Sequence, residues 1–254
     1  MLNPDRSKEP VDVLALAPHP DDIELCCGGT MILLADSGYQ VGLIDLTRGE
    51  KATRGTPEIR AREAETARGI LGALFRKNLG LPDLGIDSRS AEQLQAVVEA
   101  IRRHRPRLVL ISSEHDRHPD HVEAAHLVER AAYVAGLSEY AAAGSPWRPQ
   151  KVGFYMGRVV FEPKVIVDVS AVFERKMQAA AAFQSQFFRD PDDPRVTPIS
   201  EPGYLERLAA RFRHFGSRIG VEYGEPFDFR EPFGVGSADA LVGAPPRGSA
   251  GGEE

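Results

Sequence analysis

Cysteine is nearly absent from this sequence of 254 residues. The only two cysteines, Cys26 and Cys27, are adjacent and are therefore unsuited to a disulfide that joins distant parts of a fold. This usage is typical of a reducing compartment, and we predict a cytoplasmic protein. Long apolar runs are also missing. None approaches the roughly 18 uninterrupted apolar residues of a membrane span, so we expect no membrane partner.

An excess of positive charge is missing too. Lysine and arginine total 31 against 37 acidic residues, for a formal net charge of −6. This balance argues against a broad basic surface for nucleic acid. No internal repeat indicates a solenoid, and the ordinary hydrophobic and charged content excludes a wholly disordered chain. We predict one domain over residues 1–243 and a disordered tail at 244–254, where small, polar, proline and glycine residues predominate.

Apolar runs alternate with helical patterns along most of the chain. Residues 11–18, 41–46 and 108–111 are short aliphatic segments typical of buried strands, and amphipathic helices are predicted between them. Two shorter strands are expected at 153–156 and 165–169, and a last helix near 205–219. We predict an α/β fold of Rossmann-like, doubly wound type, in which a mostly parallel sheet carries helices on both faces.

Two groups of chemically active residues follow predicted strands. The first strand ends in the sequence APHPDD, and four of the seven histidines lie within SSEHDRHPDHVEAAH, just after the third predicted strand. Open α/β sheets place their ligand crevice outside the carboxyl ends of the strands. We therefore expect both segments to meet in one cleft.

These segments supply imidazole and carboxylate groups suited to a metal ion. His19, Asp22 and His121 provide two imidazoles and one carboxylate, which leaves a coordination position for water, as in catalytic zinc sites. Asp21 is the neighbour of Asp22 and can accept a proton from the metal-bound water. The same ligand types occur in non-haem Fe(II) oxygenases, but the strand–helix alternation and Asp21 favour hydrolysis.

The segment Gly28-Gly29-Thr30 allows two interpretations. It can mark a phosphate site at a helix N-terminus, or it can allow a helix to pack closely. The chain lacks both a Walker lysine pattern and a full dinucleotide fingerprint, so we favour packing.

The segments APHPDDIELCCGGT and EHDRHPDHVEAAHLV resemble motifs of the PIG-L, or LmbE-like, family of zinc-dependent N-acetylglucosaminide deacetylases. DLTRGEKATRGTPEIRAREA and KNLGLPD resemble the branch that deacetylates N-acetylglucosaminyl-malate in bacillithiol synthesis. The likeness extends over residues 11–235. It implies hydrolysis of the acetamide of that conjugate to glucosaminyl-malate and acetate.

The resemblance also implies roles for individual residues. Zinc, or Fe²⁺ or another divalent ion, would bind His19, Asp22 and His121, with Asp21 as the base. His118 would stabilise the transition state or protonate the departing amine, and Asp120 would orient it. The remaining catalytic candidate is Tyr204, which matches a proposed oxyanion contact.

Further residues are expected to contact the substrate. Arg48, Arg54 and Arg60 fall in or just after the loop that follows the second strand, and guanidinium groups suit the two carboxylates of a malyl group. Arg60 has an alternative role in binding the product acetate. By analogy with the family, the other candidates are Arg117, Asn78 and Asp83.

Two alternatives remain open at this point. One retains the chemistry and changes the conjugate, for example to the inositol glycoside of mycothiol synthesis. The other is a protein that binds a metal or a metabolite without turnover. In either case we expect a small-molecule partner, and homologues of this kind indicate a homo-oligomer.

Overall fold

One sheet organises the computed structural model, which describes residues 10–188 and 195–233. Its strands are, in chain order, β1 (Val13–Ala17), β2 (Val41–Thr47), β3 (Phe75–Leu81), β4 (Leu108–Ser112), β5 (Lys151–Tyr155), β6 (Val165–Asp168) and β7 (Gly224–Phe229). Their order across the sheet is β3-β2-β1-β4-β5-β7-β6. Strands β1 to β5 are parallel, and β7 is antiparallel to both β5 and β6.

Helices cover both faces of the sheet. They are α1 (Asp22–Cys26), α2 (Gly28–Asp36), α3 (Pro57–Leu71), α4 (Ala91–His104), α5 (Pro119–Val134), α6 (Phe173–Ala181), α7 (Gln184–Phe187) and α8 (Tyr204–Ser217). The predicted fold class is confirmed. The single domain over 1–243 stays a prediction, and the tail at 244–254 lies outside the described residues.

Strand β1 shows how the sequence produces two cores. Ala15 and Ala17 belong to the apolar core that includes α3, α6 and α8, whereas Leu14 and Leu16 belong to the core with α4 and α5. Alternate residues of a strand point to opposite faces, so a strand covered on both sides is apolar throughout. Burial of each leucine contributes about 2 kcal/mol to stability.

Two strands were not predicted. Strand β3 has the sequence FRKNLGL, in which charged and polar residues obscure the apolar pattern. The side chain of its Arg76 is nevertheless buried, because Asp45 on β2 and Glu24 on α1 accept hydrogen bonds from the guanidinium group. Strand β7 contains Pro226, which weakens the strand signal. The segment at 108–111, predicted as the third strand, is therefore the fourth in the chain.

A buried carboxylate occupies the start of α2. Glu225 on β7 accepts hydrogen bonds from the backbone N–H groups of Gly29 and Thr30 at 2.8 and 2.7 Å, and from the fully buried Lys176. A Cβ on Gly29 would lie 2.8 Å from the Cβ of Val169. The segment therefore serves close packing, as favoured from the sequence, and the helix N-terminus is capped by a carboxylate of the chain itself.

The topology determines where a ligand can bind. From β1 the sheet continues to β2 on one side and to β4 on the other, and this reversal opens a crevice at the carboxyl ends of β1 and β4. Across the described ranges, no helix combines the length and the apolar character that crossing a bilayer requires.

Candidate active site

The two predicted segments meet in a cavity of about 540 Å³. His19, Asp21 and Asp22 reach it from the loop after β1, and His118 and His121 reach it from the loop after β4 and the first turn of α5. The expected convergence of the two strand ends is therefore present. A cavity of this size can accommodate a small-molecule ligand.

The loop after β1 has an unusual backbone. Asp21 has φ 114°, in the left-handed region that side chains rarely adopt. Such strain costs about 1–3 kcal/mol and persists where the surrounding structure enforces it. The backbone N–H of His19 donates to Asp22 Oδ2 at 3.0 Å, which holds that carboxylate toward the imidazoles.

Asp22 lies between two imidazoles. Its Oδ2 is 3.4 Å from Nδ1 of His19 and 3.3 Å from Nε2 of His121. The ring of His118 lies 4.8 Å from that of His19 and 5.0 Å from that of His121. Imidazole nitrogens and a carboxylate oxygen are ligands that zinc prefers, so the donor set fits a divalent metal. A set of His19, His118 and His121 is also close enough to share an ion.

Carboxylates fix the far side of each imidazole. Nε2 of His19 lies 3.2 Å from Asp83 and 3.2 Å from Asp120, and Nδ1 of His121 lies 3.2 Å from Asp116. Carboxylates in this position orient a metal-ligating histidine and strengthen its donor nitrogen. The expectation that the Asp120 side chain orients His118 is therefore corrected, because this carboxylate contacts His19 instead. Asp83 lines the cavity and also contacts His19.

The carboxylates of the site stabilise the protonated forms of His19 and His121. Burial alone would lower the pKa of His121, but the charge of Asp22 and hydrogen bonds to Asp116 and Asp22 raise it to about 9. Burial likewise opposes the shift at His19, whose pKa is raised well above its usual value by hydrogen bonds to nearby carboxylates. For Asp22, burial would raise the pKa, yet the charge of His121 and hydrogen bonds to both histidines hold it well below its usual value.

Asp21 differs from its neighbour. Burial raises the pKa of Asp21 to about 7, although the positive charge of Arg60 opposes this rise. The Arg60 guanidinium lies 3.2 Å from Asp21 Oδ2 and also donates to the carbonyl of Pro20. A carboxylate with a pKa near neutrality is suited to accept a proton and later return it.

His118 is held in one tautomer. It is the N-cap residue of α5, and its Nδ1 accepts a hydrogen bond from the backbone N–H of Asp120 at 3.3 Å. The proton of the neutral ring is then on Nε2. Burial and the positive charges of His19 and His121 lower the pKa of His118. His118 therefore favours a neutral ring that donates one hydrogen bond.

Three of the residues predicted to contact substrate do not line the main cavity, namely Arg48, Asn78 and Arg54. Arg48 and Asn78 line a separate cavity with Asp45 and Arg76. The Asn78 amide donates to the carbonyl of Thr47 and accepts from the backbone N–H of Gly80, so it stabilises a turn. These positions correct the expectation that they share the main crevice.

Arg54 is also used inside the structure. It is 3% exposed, and its guanidinium donates to the carbonyl of Phe188 at 2.6 Å. Its own carbonyl accepts from the Gln186 amide. This position corrects its predicted role as a substrate contact, because Arg54 instead joins the loop after β2 to the segment that follows α7.

Arg60, Arg117 and Tyr204 line the main cavity. Tyr204 stacks on Phe187 at a ring distance of 5.8 Å, and burial raises its pKa to about 12. Its hydroxyl is therefore a donor at neutral pH, as an oxyanion contact requires.

Some residues at the site were missed from the sequence. Arg158 and Arg211 line the cavity, and the Asp116 carboxylate supports His121. Asp116 had a detectable signal, because a histidine that binds metal usually donates its second N–H to a carboxylate. Arg211 follows Tyr204 by seven residues in a predicted helix, which puts both side chains on one face.

Residues 14–132, which include both His/Asp segments, match the family profile described as "PIG-L: GlcNAc-PI de-N-acetylase". The diacetylchitobiose deacetylase of Thermococcus kodakarensis is 33% identical over 231 residues, covering 85% of this chain and 82% of the relative. The chain belongs to the PIG-L family. The resemblance to this family, predicted from the sequence, is therefore confirmed.

Two further relatives are similar to this chain. A probable N-acetyl-α-D-glucosaminyl L-malate deacetylase 2 of Bacillus cereus is 30% identical, covering 68% of this chain and 83% of the relative. The crystal structure of a conserved protein from Thermus thermophilus has a TM-score of 0.81 and 40% identity, covering 89% of this chain and 97% of that one. The structural likeness thus extends over most of the fold that surrounds the candidate site.

Proposed function

We propose that this protein hydrolyses the acetamide of an N-acetylglucosamine conjugate in a metal-dependent reaction. The observation that carries the proposal is the buried cluster of His19, Asp22 and His121 with Asp21 beside it. The names of its relatives support the same reaction, since they include deacetylases of diacetylchitobiose, of the malyl conjugate and of the inositol conjugate.

His19, Asp22 and His121 would hold the metal, which we propose to be zinc, with Fe²⁺ or another divalent ion as the alternative. When bound, zinc lowers the pKa of a water ligand from about 15.7 to about 7, which supplies a nucleophile at neutral pH. The carboxylates of Asp83, Asp116 and Asp120 would hold the imidazoles in place.

Asp21 would accept the proton of the attacking water. Its elevated pKa makes the protonated form accessible near neutral pH, so the same carboxyl group can return the proton to the departing amine. Arg60 would keep the Asp21 carboxylate oriented through their contact at 3.2 Å.

His118 would donate a hydrogen bond to the carbonyl oxygen as negative charge develops there. Its neutral ring with the proton on Nε2 supports this role better than protonation of the amine. Tyr204, which lines the same cavity, would provide a second donor.

For the conjugate itself, we propose N-acetylglucosaminyl-malate, the substrate of bacillithiol synthesis in the cytoplasm. The relative from Bacillus cereus and the sequence resemblance support this substrate. Arg48 and Arg54 do not support it, because they lie outside the main cavity. The alternative is a neutral conjugate, because the relatives include deacetylases of diacetylchitobiose and of an inositol glycoside.

One experiment tests both the proposed reaction and the proposed substrate. Acetate and free amine are quantified from the malyl, inosityl and diacetylchitobiose conjugates, with and without a chelator, in air and under anaerobic conditions. We expect release that needs metal, does not need oxygen and is fastest from the malyl conjugate. Equal rates on all conjugates would contradict the malyl assignment, oxygen dependence would indicate an oxygenase, and no release would leave a binding protein.

A further inference from the structure

A second cavity, of about 250 Å³, adjoins the main one on the side of α8. The two cavities share Arg158, Tyr204 and Arg211, and the smaller one also includes Arg207. Among the described residues that line this smaller cavity there are three arginines and no carboxylate. We refer to Arg158, Arg207 and Arg211 as the arginine cluster.

The spacing along α8 directs these side chains to one face. Three residues follow Tyr204 at helical spacing, namely Arg207 after three residues, Leu208 after four and Arg211 after seven. This spacing places all four on a single stripe of the helix. Arg158 approaches the stripe from the turn after β5, because Arg211 donates a hydrogen bond to the carbonyl of Gly157. Two separate elements thus contribute to the cluster.

Intramolecular bonds leave much of the cluster's donor capacity unused. Arg207 donates to the carbonyl of Pro202 at 3.1 Å, and Arg211 Nε is buried without a hydrogen-bond partner. Neither they nor Arg158 pair with an acidic side chain within the described part of the chain. A guanidinium group offers five donors, so an anion could be bound by several at once.

Two arginines outside the cluster, one on α8 and one just after it, have acidic partners. Arg213 lies 3.8 Å from Glu222, and Arg218, which follows α8, pairs with Glu162. These charges are balanced by neighbours, as is usual for surface arginines. The arginine cluster concentrates like charges at the mouth of the site, and this arrangement is favourable when an external anion lies between them.

We propose that the arginine cluster is the subsite that selects a conjugate with an anionic, carboxylate-bearing aglycone. This inference rests on the proposed deacetylation, and it assigns the role expected of Arg48 and Arg54 to different residues. The acetamide would lie at the metal end, and the carboxylates would extend toward α8, where bidentate pairing with guanidinium groups is available.

The test compares two substrates rather than one rate. The quantity is the ratio of kcat/KM for the malyl conjugate to that for diacetylchitobiose, measured for the wild type, Arg207→Gln and Arg207→Lys. We expect Arg207→Gln to lower this ratio about tenfold through KM, because a charge-assisted hydrogen bond is lost. Arg207→Lys should recover part of it. The matched control, Arg213→Gln, should leave the ratio unchanged.

The outcomes separate the two proposals. If both substrates release acetate and the ratio does not change in Arg207→Gln or in the double variant Arg158→Gln/Arg207→Gln, the subsite assignment is wrong and the deacetylase proposal stands. If neither substrate releases acetate from the wild type, the proposed function itself fails. Thermal unfolding of each variant identifies any loss that comes from misfolding.

Discussion

The main cavity has two unlike ends. At the strand end, where β1 and β4 finish, each proposed metal ligand is held by hydrogen bonds within the chain. At the α8 end, the three guanidinium groups of the arginine cluster lie close together and make few such bonds. The first region is acidic and buried, and its carboxylates have their partners. The second is cationic and partly exposed. This difference shows that a preorganised centre for chemistry can be combined with a region whose charge is left for a ligand to satisfy.

The largest expected effect tests the chemical end. Asp21→Asn should lower kcat about a thousandfold, because general base catalysis typically contributes about 10²–10⁴-fold. Zinc content, measured by mass spectrometry, should stay at the wild-type level, since Asp21 is not a proposed ligand. Asp87→Asn, an exposed carboxylate, is the matched control. Unchanged turnover in Asp21→Asn would remove this residue from the reaction.

The second prediction concerns the support of His121. Asp116→Asn should weaken zinc binding about ten- to hundredfold, because the carboxylate 3.2 Å from His121 Nδ1 would be lost. Titration in a metal buffer measures the affinity. Wild-type affinity in this variant would show that the strand end does not depend on its outer carboxylates.

The third prediction uses the turn that joins the two ends. A Cβ on Gly157 would lie 1.9 Å from Asp116 Oδ2, so Gly157→Ala should displace that carboxylate and lower zinc affinity about tenfold. Combining it with Asp116→Asn should add little, since both changes act through one contact. Gly69→Ala, with open space around its Cβ, is the control. Full additivity would contradict the shared contact.

Near neutrality, the smallest expected effect is that of a change in pH. With a pKa of about 7 for Asp21, the carboxylate form that accepts a proton predominates above this pH and is lost below it. We therefore expect kcat/KM to fall to about half its plateau near pH 7 and then about tenfold for each further unit. A profile that is flat from pH 5 to 8 would exclude Asp21 as the titrating base.

The sequence was most informative where chemistry follows an apolar strand. His19, Asp21 and Asp22 come directly after β1, and His118 and His121 begin α5, so strand order alone predicted that they converge. Two of the assignments that failed depended on loop conformation. Arg48 and Arg54 flank a loop whose path cannot be inferred from periodicity, and they point away from the main cavity.

Other features depend on contacts between elements that only the folded structure shows. The partner of Asp120 is His19 rather than the nearby His118, because the first turn of α5 directs this carboxylate back across the cleft. Strand β3 was missed because the charge of its Arg76 is compensated by Asp45 and Glu24, which are distant in sequence. Local patterns do not record such pairings, since each depends on residues contributed by another element.

The cap on α2 has a consequence for synthesis. Glu225 is separated by 196 residues from Gly29, so the ribosome must translate nearly the whole described chain before that contact can form. A nascent chain that ends before β7 would contain both histidine segments yet lack the carboxylate that holds the start of α2. The cap on α2 is therefore completed only at a late stage of synthesis, and chains that terminate before β7 would lack it.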